Sequence, residues 1–325
     1  MIKIVITGLG SDPLEVERSI LEPLGCRVLA GEYRTTDELI ALLADADCIG
    51  TILAPIDARV IAALQRPRVI VRYGIGVDNI DIEAAAKRGI PVCNVPDYCI
   101  NEVADHTLAL ILGLTRQIVP NWNCVHQGQW KLAVPPEQMR ALQDMTVGLV
   151  GFGRIGREVA ARLQSFKCRV CVFDPAVEAA AIVRTGCRPV SLDELLGAAD
   201  LVSLHCPSTP QTKGLINRDT LARMKKGALL VNASRGTLVN TRDLIAALQD
   251  RRLAGAAFDV MDPEPIPKDS PLLAMDNVFI TAHIASVSVN AGRRQRTSVA
   301  TTMACAVRGE KLPNVVNGVG RRAGT

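Results

Sequence analysis

The chain contains 325 residues, of which 48% are hydrophobic and 22% are charged, and its formal net charge is +4. Since a domain typically contains roughly 100–200 residues, this length predicts two domains, and the composition excludes a disordered chain. A small net charge with 3% aromatic residues does not favour nucleic-acid binding. No apolar run approaches the roughly 18 residues of a membrane span, and residues 1–8 are typical of a strand and turn, not of a signal peptide. We therefore expect a cytoplasmic protein with neither nucleic acid nor membrane as a partner.

The ten cysteines are scattered from Cys26 to Cys305, mostly inside apolar runs. This distribution is typical of reduced, buried thiols and does not indicate a disulfide framework. Cys168 and Cys171 have the spacing of a zinc-ligand pair, but the sequence offers no second pair to complete a site. We expect no metal.

The first third of the chain predicts a parallel sheet with crossover helices, because short β-branched runs alternate with longer Ala- and Leu-rich segments. Strands are predicted at residues 2–7, 27–30, 48–53, 69–73 and 91–95. Helices are predicted between them at residues 14–24, 36–43, 59–64 and 82–87.

The pattern changes after Asp97. A long apolar helix is predicted at 101–117, followed by an irregular stretch that contains Trp122 and Trp130. Six further strands are predicted at 147–150, 169–173, 201–204, 228–232, 255–259 and 278–281. A second long helix at 286–308, whose arginines we expect to form a solvated face, leads to an extended tail at 312–319. One helix enters the second unit and another leaves it, so the predicted domains are 1–100 with 286–325, and 101–285.

A glycine-rich turn, Gly151-Phe152-Gly153-Arg154-Ile155-Gly156, lies between a predicted strand and a predicted helix. In a dinucleotide-binding turn, the first glycine makes the tight bend, the second admits the pyrophosphate, and the third allows close packing of helix and strand. Asp174 ends the next strand, 18 residues after Gly156, where it would bind the ribose hydroxyls and repel a 2′-phosphate. The motif therefore predicts NAD. A similar turn at Gly8-Leu9-Gly10 has Pro13 in place of the third glycine, and we do not expect it to bind a dinucleotide.

Polar residues follow the other predicted strands of this second unit, and ligands of parallel sheets bind beyond the carboxyl ends of strands. Three of these residues have the chemistry of carbonyl reduction. Arg235 can bind a carboxylate through two parallel hydrogen bonds and polarise a neighbouring carbonyl, and His283 can exchange a proton with the substrate oxygen near neutral pH. Glu264, between two prolines, would favour the charged form of that histidine. The remaining histidines, His106, His126 and His205, are expected to be structural, with His205 lining the cofactor cleft.

The sequence resembles the NAD-dependent D-2-hydroxyacid dehydrogenases over nearly its whole length. The family includes phosphoglycerate dehydrogenases, glyoxylate and hydroxypyruvate reductases, and the C-terminal-binding corepressors. The resemblance is carried by several long motifs in the family's order, at residues 71–80, 148–156, 204–207, 231–236, 255–260, 263–265 and 281–285. It implies an α/β protein with two doubly wound parallel-sheet domains, in which a Rossmann NAD-binding domain is inserted into a flavodoxin-like substrate domain.

The resemblance also implies roles for individual residues. Arg235, Glu264 and His283 stand at the catalytic positions, and Gly74-Ile75-Gly76 together with Arg235 would bind the substrate carboxylate. The cofactor-binding positions are Gly151, Gly153, Arg154, Ile155, Gly156, Asp174, Cys206, Pro207, Thr212, Ala233, Asp259 and His283. Members of the family are usually homodimers joined through the cofactor domain. The implied reaction is hydride transfer between NAD(H) and a small 2-hydroxy or 2-keto acid, in a cleft between the domains.

Several positions depart from the family pattern. Ala282 stands where proline is usual, which is expected to loosen the approach to His283, and Asp105 stands where glutamate is usual. Leu53-Ala54-Pro55 replace an Arg-Ser pair of the phosphoglycerate-oxidising relatives, which argues against a phosphorylated substrate. Glu264 argues against the formate-oxidising branch, which has glutamine there.

Two alternative functions remain open. One is an NAD-sensing regulatory protein of the corepressor type, and the other is a dehydrogenase of the same family that acts on an inorganic oxyanion such as phosphite. The retained acid–base pair favours an enzyme, and fold alone does not separate the three.

Overall fold

A computed structural model describes residues 1–10 and 13–320. The chain divides into two compact units, one formed by Met1–Tyr98 with Ser288–Thr325 and the other by Cys99–Val287. Within the described residues, no helix combines the length and the hydropathy that crossing a bilayer requires.

The first unit contains a five-stranded parallel sheet in the order β2-β1-β3-β4-β5, the flavodoxin-like doubly wound order. The strands are β1 (Ile2–Thr7), β2 (Cys26–Gly31), β3 (Cys48–Thr51), β4 (Val69–Arg72) and β5 (Val92–Cys93). The central strands are buried on both faces, which explains their continuous apolar sequence.

Four helices connect these strands: α1 (Glu15–Leu21), α2 (Thr36–Leu43), α3 (Ala58–Ala63) and α4 (Ile82–Lys87). Three of them begin at a side chain that accepts a hydrogen bond from a backbone amide of the first turn. The capping residues are Thr35, Asp57 and Asp81. Such caps fix where each helix starts and contribute about 1 kcal/mol each.

The second unit contains a seven-stranded parallel sheet in the order β12-β11-β10-β9-β6-β7-β8. Its strands are β6 (Thr146–Val150), β7 (Arg169–Phe173), β8 (Arg188–Pro189), β9 (Leu201–Leu204), β10 (Ala228–Asn232), β11 (Leu253–Phe258) and β12 (Val278–Ile280). The strands that follow β6 are first added on one side of it, as β7 and β8, and then on the other side, from β9 onward. This change in strand order at β6 is that of the Rossmann fold. The helices are α5 (Ile100–Thr115), α6 (Ile118–His126), α7 (Arg154–Ser165), α8 (Ala179–Val183), α9 (Leu192–Ala198), α10 (Arg218–Arg223) and α11 (Thr241–Gln249).

The sequence-based expectation of two doubly wound sheets is confirmed, but two details were wrong. The second sheet has seven strands, whereas six were predicted. The edge strand β8 was missed because it is only two residues long and includes Pro189, and so leaves no periodic signal. The stretch expected to be irregular begins with helix α6, which tolerates Pro120 because the proline lies in its first turn.

The last helix, α12 (Val289–Arg308), belongs to the first unit and packs against α1. The expectation that its arginines form a solvated face is wrong at Arg296. This guanidinium donates to both carboxylate oxygens of Glu17, which is fully buried and also accepts from the Tyr73 hydroxyl at 3.0 Å. A buried carboxylate requires such partners because an unpaired charge in the core is strongly destabilising.

Candidate active site

The polar residues singled out in the second unit follow neighbouring strands of one sheet. They lie at its carboxyl edge in the order His283, Asp259, Arg235, His205, Gly151 and Asp174, after β12, β11, β10, β9, β6 and β7 respectively. This edge is where open parallel sheets bind ligands.

The glycine turn between β6 and α7 is built by close backbone contacts. Gly151 has φ +101°, and a Cβ there would lie 2.6 Å from the carbonyl carbon of His205. A Cβ at Gly156 would lie 2.4 Å from the carbonyl oxygen of Gly151. A Cβ at Gly153 would meet no atom within 4 Å. Two glycines therefore serve the fold, and Gly153 leaves open space at a helix amino terminus, where a pyrophosphate fits.

Asp174 connects the second strand to this turn. Its carboxylate accepts hydrogen bonds from the amides of Phe152 at 2.7 Å and Ala176 at 2.9 Å. The Gly151 amide donates to the carbonyl of Phe173 at 2.9 Å. The acid is thus fixed beside the glycine turn, in the position from which a ribose would be bound. Arg154 is exposed and Ile155 half-buried at the start of α7.

The segment after β9 is held by side-chain hydroxyls. Thr212 donates to the Pro207 carbonyl at 2.6 Å, and Ser234 donates to the Cys206 carbonyl at 2.7 Å. Burial lowers the pKa of His205 to about 4 and raises the pKa of the Cys206 thiol to about 11. At neutral pH both side chains are therefore uncharged, and His205 lies 2.9 Å from the Ser203 hydroxyl.

Arg235 stands on a turn fixed by the buried amide of Asn232. The amide nitrogen of that side chain donates to the Arg235 carbonyl at 2.8 Å, and its oxygen accepts from the Ser234 amide at 3.0 Å. Ala233 is half-buried in the same turn. Gly236 follows, and a Cβ there would lie 1.9 Å from the Met261 carbonyl oxygen, so this close approach requires glycine.

His283 and Glu264 form a hydrogen-bonded pair with 3.0 Å between Nδ1 and Oε2. A carboxylate only accepts, so Nδ1 carries a proton and Nε2 is left to exchange one with a ligand. The two side chains are 45% and 42% exposed, which keeps them accessible. His283 itself has φ +54°, a left-handed conformation that is uncommon outside glycine.

Asp259 is directed at the backbone that carries His283. Its buried carboxylate accepts from the Thr281 hydroxyl at 2.5 Å and from the amides of Ile284 and Ala285 at 2.9 and 2.8 Å. The family resemblance implies a cofactor contact for Asp259, and this stays a prediction. Its carboxylate contacts the residues on either side of His283.

His106 was expected to be structural, yet it reaches this cluster from α5. Its Nε2 lies 3.0 Å from the Thr281 hydroxyl and 3.5 Å from the Asp259 carboxylate. His106 and Thr281 are 175 positions apart, so no local pattern could have indicated the contact. Its neighbour Asp105 points elsewhere and pairs with Arg162 at 2.7 Å.

In the first unit, Gly74-Ile75-Gly76 forms the turn after β4. Gly74 has φ +142°, and its amide donates to the Arg72 carbonyl at 3.0 Å. Within residues 1–10 and 13–320, the amides of Ile75 and Gly76 donate to no protein acceptor. Two successive free amides of this kind can bind an anion.

A Rossmann sheet with a glycine turn, an anchored acid after its second strand and an Arg–Glu–His set at the same edge defines an NAD-binding oxidoreductase. Residues 108–285 match the family model described as D-isomer specific 2-hydroxyacid dehydrogenase, NAD binding domain. The chain belongs to the D-isomer specific 2-hydroxyacid dehydrogenase family.

Named relatives agree with this assignment. The chain is 38% identical to the glyoxylate reductase of Korarchaeum cryptofilum, over 91% of this chain and 87% of that protein. It is also 38% identical to the D-3-phosphoglycerate dehydrogenase of Mycobacterium bovis over 86% of this chain, but spans only 53% of that longer protein. The structure of Aquifex aeolicus D-lactate dehydrogenase complexed with NAD and lactic acid matches with a TM-score of 0.85 at 27% identity, over 94% of this chain and 96% of that one. The sequence-based assignments of family, NAD and enzyme class are confirmed, and the protein is an NAD-dependent 2-hydroxyacid dehydrogenase.

Proposed function

We propose that this enzyme interconverts a small, unphosphorylated 2-keto acid of the glyoxylate or hydroxypyruvate class with its 2-hydroxy acid. His283 is the proton carrier, Glu264 its partner, and Arg235 the carboxylate-binding cation. The observation that carries the proposal is the 3.0 Å contact between His283 Nδ1 and Glu264, because it leaves Nε2 as the exchanging atom.

The proton step follows from the pair. When NADH is bound, it supplies the hydride that the 2-carbon of the keto acid accepts. As negative charge develops on the carbonyl oxygen, His283 gives the Nε2 proton to it, and Glu264 stabilises the imidazolium through Nδ1. In oxidation, neutral His283 removes the hydroxyl proton through the same atom. The keto acid gains one hydride and one proton, so the reaction is balanced.

The substrate carboxylate needs donors in a fixed geometry. Arg235 offers a planar guanidinium on a turn held by Asn232. The free amides of Ile75 and Gly76 suit a carboxylate oxygen, whereas the amide of Gly74 is already used by Arg72. We propose that the cation and the two amides are the carboxylate-binding groups.

The turn after β3 supports an unphosphorylated substrate. Residues 52–56 contain no cationic side chain, and Leu53 is 72% exposed. A phosphate group is usually bound by arginine, lysine or backbone amides. The segment Leu53-Ala54-Pro55 contains neither arginine nor lysine. The relatives named for glyoxylate are therefore better guides to the substrate than those named for phosphoglycerate.

We also propose a cytoplasmic homodimer that associates through α6 and the segment that follows it. Several large apolar side chains of this stretch are exposed to solvent, Trp122 to 60% and Trp130 to 92%. Ile118, Val125 and Leu132 add to the same stretch. Exposed apolar groups of this size are typical of interfaces. The ten cysteines are thiols, and eight of them are buried, which suits a reducing compartment.

The experiment that tests the catalytic assignment follows NADH absorbance with a panel of 2-keto acids, from glyoxylate to branched and phenyl-substituted acids. His283→Ala and Arg235→Ala should each lower kcat/KM by at least about 100-fold while NADH binding, measured by fluorescence, is kept. Arg184→Ala removes an exposed arginine distant in sequence from these residues and should leave turnover unchanged.

Turnover near that of the wild type in His283→Ala would remove this histidine from the mechanism. Binding of NADH without turnover of any keto acid would favour the NAD-sensing alternative, and turnover of phosphite alone would favour the inorganic-oxyanion alternative. Light scattering tests the dimer: Trp122→Glu with Trp130→Glu should give a monomer, and a wild-type monomer would contradict that part of the proposal.

A further inference from the structure

The loop that carries His283 has a backbone that needs external support. His283 adopts φ +54°, and non-glycine residues in this region persist only where the surroundings hold them there. The preceding residue, Ala282, is exposed and has no ring to restrict its φ. The side chain of His283 is itself almost half exposed, so packing around the imidazole supplies little of the restraint.

Asp259 supplies that support from the end of the neighbouring strand. Its carboxylate holds residues on both sides of His283, through the Thr281 hydroxyl before it and the Ile284 and Ala285 amides after it. The backbone carbonyl of Asp259 accepts the amide of His283 at 2.8 Å. The position of His283 thus depends on where the Asp259 carboxylate is held.

The proton positions in this cluster assign a role to His106. The Thr281 hydroxyl has one hydrogen, and it donates that hydrogen to the Asp259 carboxylate, which can only accept. The contact of 3.0 Å between Thr281 and His106 therefore requires His106 Nε2 to be the donor. The same Nε2 lies 3.5 Å from the carboxylate, so its N–H dipole faces the negative charge.

The support behind His106 is rigid. It lies in the middle of α5, whose adjacent turns bury Ala104, Thr107 and Leu108 in the core of the second unit. His106 is itself only one-fifth exposed. A side chain anchored in this way can fix the orientation of the Thr281 hydroxyl and, through it, of Asp259.

We propose that His106 is a positioning residue for the proton-carrying His283, acting through Thr281 and Asp259. The inference rests on the proposed role of His283. His106 does not take part in the proton transfer; it sets the conformation from which Nε2 of His283 reaches the substrate oxygen. Displacing a reacting group by about 1 Å can cost on the order of 100-fold in rate.

The test uses two matched pairs of variants. His106→Leu removes the donor at similar bulk, whereas His106→Gln restores an N–H near the position of Nε2. Thr281→Val removes the hydroxyl without changing the shape, whereas Thr281→Ser keeps it. For each variant we would measure kcat for keto-acid reduction, the solvent deuterium isotope effect on kcat and the dissociation constant of NADH. Thermal unfolding would check that each variant is folded.

We expect His106→Leu and Thr281→Val each to lower kcat by about 10- to 100-fold and to increase the solvent isotope effect, because proton transfer becomes rate-limiting. Their double variant should be no slower than the slower single variant, since both break one connection. His106→Gln and Thr281→Ser should recover most of the turnover, and NADH affinity should be unchanged in all four. If His106→Leu does not fold, the Thr281 pair carries the same test.

An unchanged isotope effect, or losses that multiply in the double variant, would overturn the proposal and leave His106 a structural residue. His283→Ala in the same series separates this result from failure of the proposed function. If His283→Ala is inactive while His106→Leu and Thr281→Val are fully active, only the positioning role is wrong. If His283→Ala is active, the catalytic assignment itself is wrong.

Discussion

Each unit has a glycine turn after its first strand, and we expect only the turn of the second unit to bind a dinucleotide. Each turn follows the first strand of its unit in chain order and begins with a glycine of positive φ, +88° at Gly8 and +101° at Gly151. Each first glycine packs against the segment that follows a neighbouring strand. A Cβ at Gly8 would meet the Ile52 side chain at 3.3 Å, whereas one at Gly151 would meet the His205 backbone at 2.6 Å.

The difference lies in what surrounds the bend. In the second unit, Gly156 brings the helix against the turn, and Asp174 accepts a hydrogen bond from its Phe152 amide at 2.7 Å. In the first unit, Pro13 stands where a third glycine would be needed, and Gly10 has no neighbour within 4 Å of a Cβ. A doubly wound sheet thus supplies the bend, and we expect the close packing and the anchored acid to make the second turn a cofactor site.

The largest expected effect comes from breaking the close packing. In Gly156→Ala, the new Cβ would lie 2.4 Å from a backbone oxygen that cannot move without opening the turn. We expect a loss of several kcal/mol in the free energy of unfolding, together with loss of NADH binding. Denaturant unfolding and NADH fluorescence measure the two. Gly197→Ala, in helix α9 with no atom within 4 Å, is the control and should be neutral or stabilising.

A second difference between the units should appear in their stability at acidic pH. The residue packed against the second turn, His205, is titratable, whereas its counterpart in the first unit, Ile52, is not. Burial lowers the pKa of His205 to about 4, against 6.5 in the unfolded chain. Between these values the unfolded state binds the extra proton, so stability falls as pH decreases from about 6.5 to about 4. The loss attributable to this group is on the order of 3 kcal/mol. His205→Gln should flatten that slope in unfolding measurements across the range, and an unchanged slope would contradict the assignment.

A third experiment tests whether Gly153 serves the ligand, whereas Gly151 and Gly156 serve the fold. Gly153→Ala places its Cβ in open space, so we expect stability within about 0.5 kcal/mol of the wild type and NADH affinity at least about tenfold lower. Gly10→Ala should show the reverse, a stability loss of about 1 kcal/mol from its φ of +55° and unchanged NADH affinity. Equal NADH affinity in both variants would remove the distinction between the turns.

The smallest expected effect concerns the choice of cofactor. Asp174→Asn keeps an acceptor for the Phe152 amide and removes the charge that would repel a 2′-phosphate. We expect the ratio of kcat/KM for NADH over NADPH to fall about tenfold, which corresponds to about 1.4 kcal/mol. A wild-type enzyme that used both cofactors equally would show that Asp174 does not discriminate.

The sequence was informative wherever the signal is local. The alternation of β-branched and Ala/Leu-rich segments predicted both parallel sheets, and the spacing of Gly151, Gly153, Gly156 and Asp174 predicted NAD. Strand β8 was missed because two residues contain no periodicity, and α6 was missed because Pro120 is typical of a helix end or a loop.

The site was only partly predictable for a different reason. Arg235, Glu264 and His283 carry recognisable chemistry, and the pairing of the last two could be anticipated. The contacts of His106 and of Arg296 join residues 175 and 279 positions apart. Such contacts depend on how helices pack onto sheets and against one another, and no local property of histidine or arginine indicates which partner lies across the fold.

The pairing of Glu17 with Arg296 has a consequence for how the protein is made on the ribosome. Residues 1–98 emerge first, but the guanidinium that neutralises their buried carboxylate arrives only with α12, after the whole second unit has been synthesised. Because domains generally fold as units during synthesis, the inserted unit can complete its fold before the unit that precedes it in the chain. A nascent chain stalled before α12 would bury Glu17 with the Tyr73 hydroxyl but without its cation, or leave its helix undocked, so the first unit matures last although its synthesis begins first.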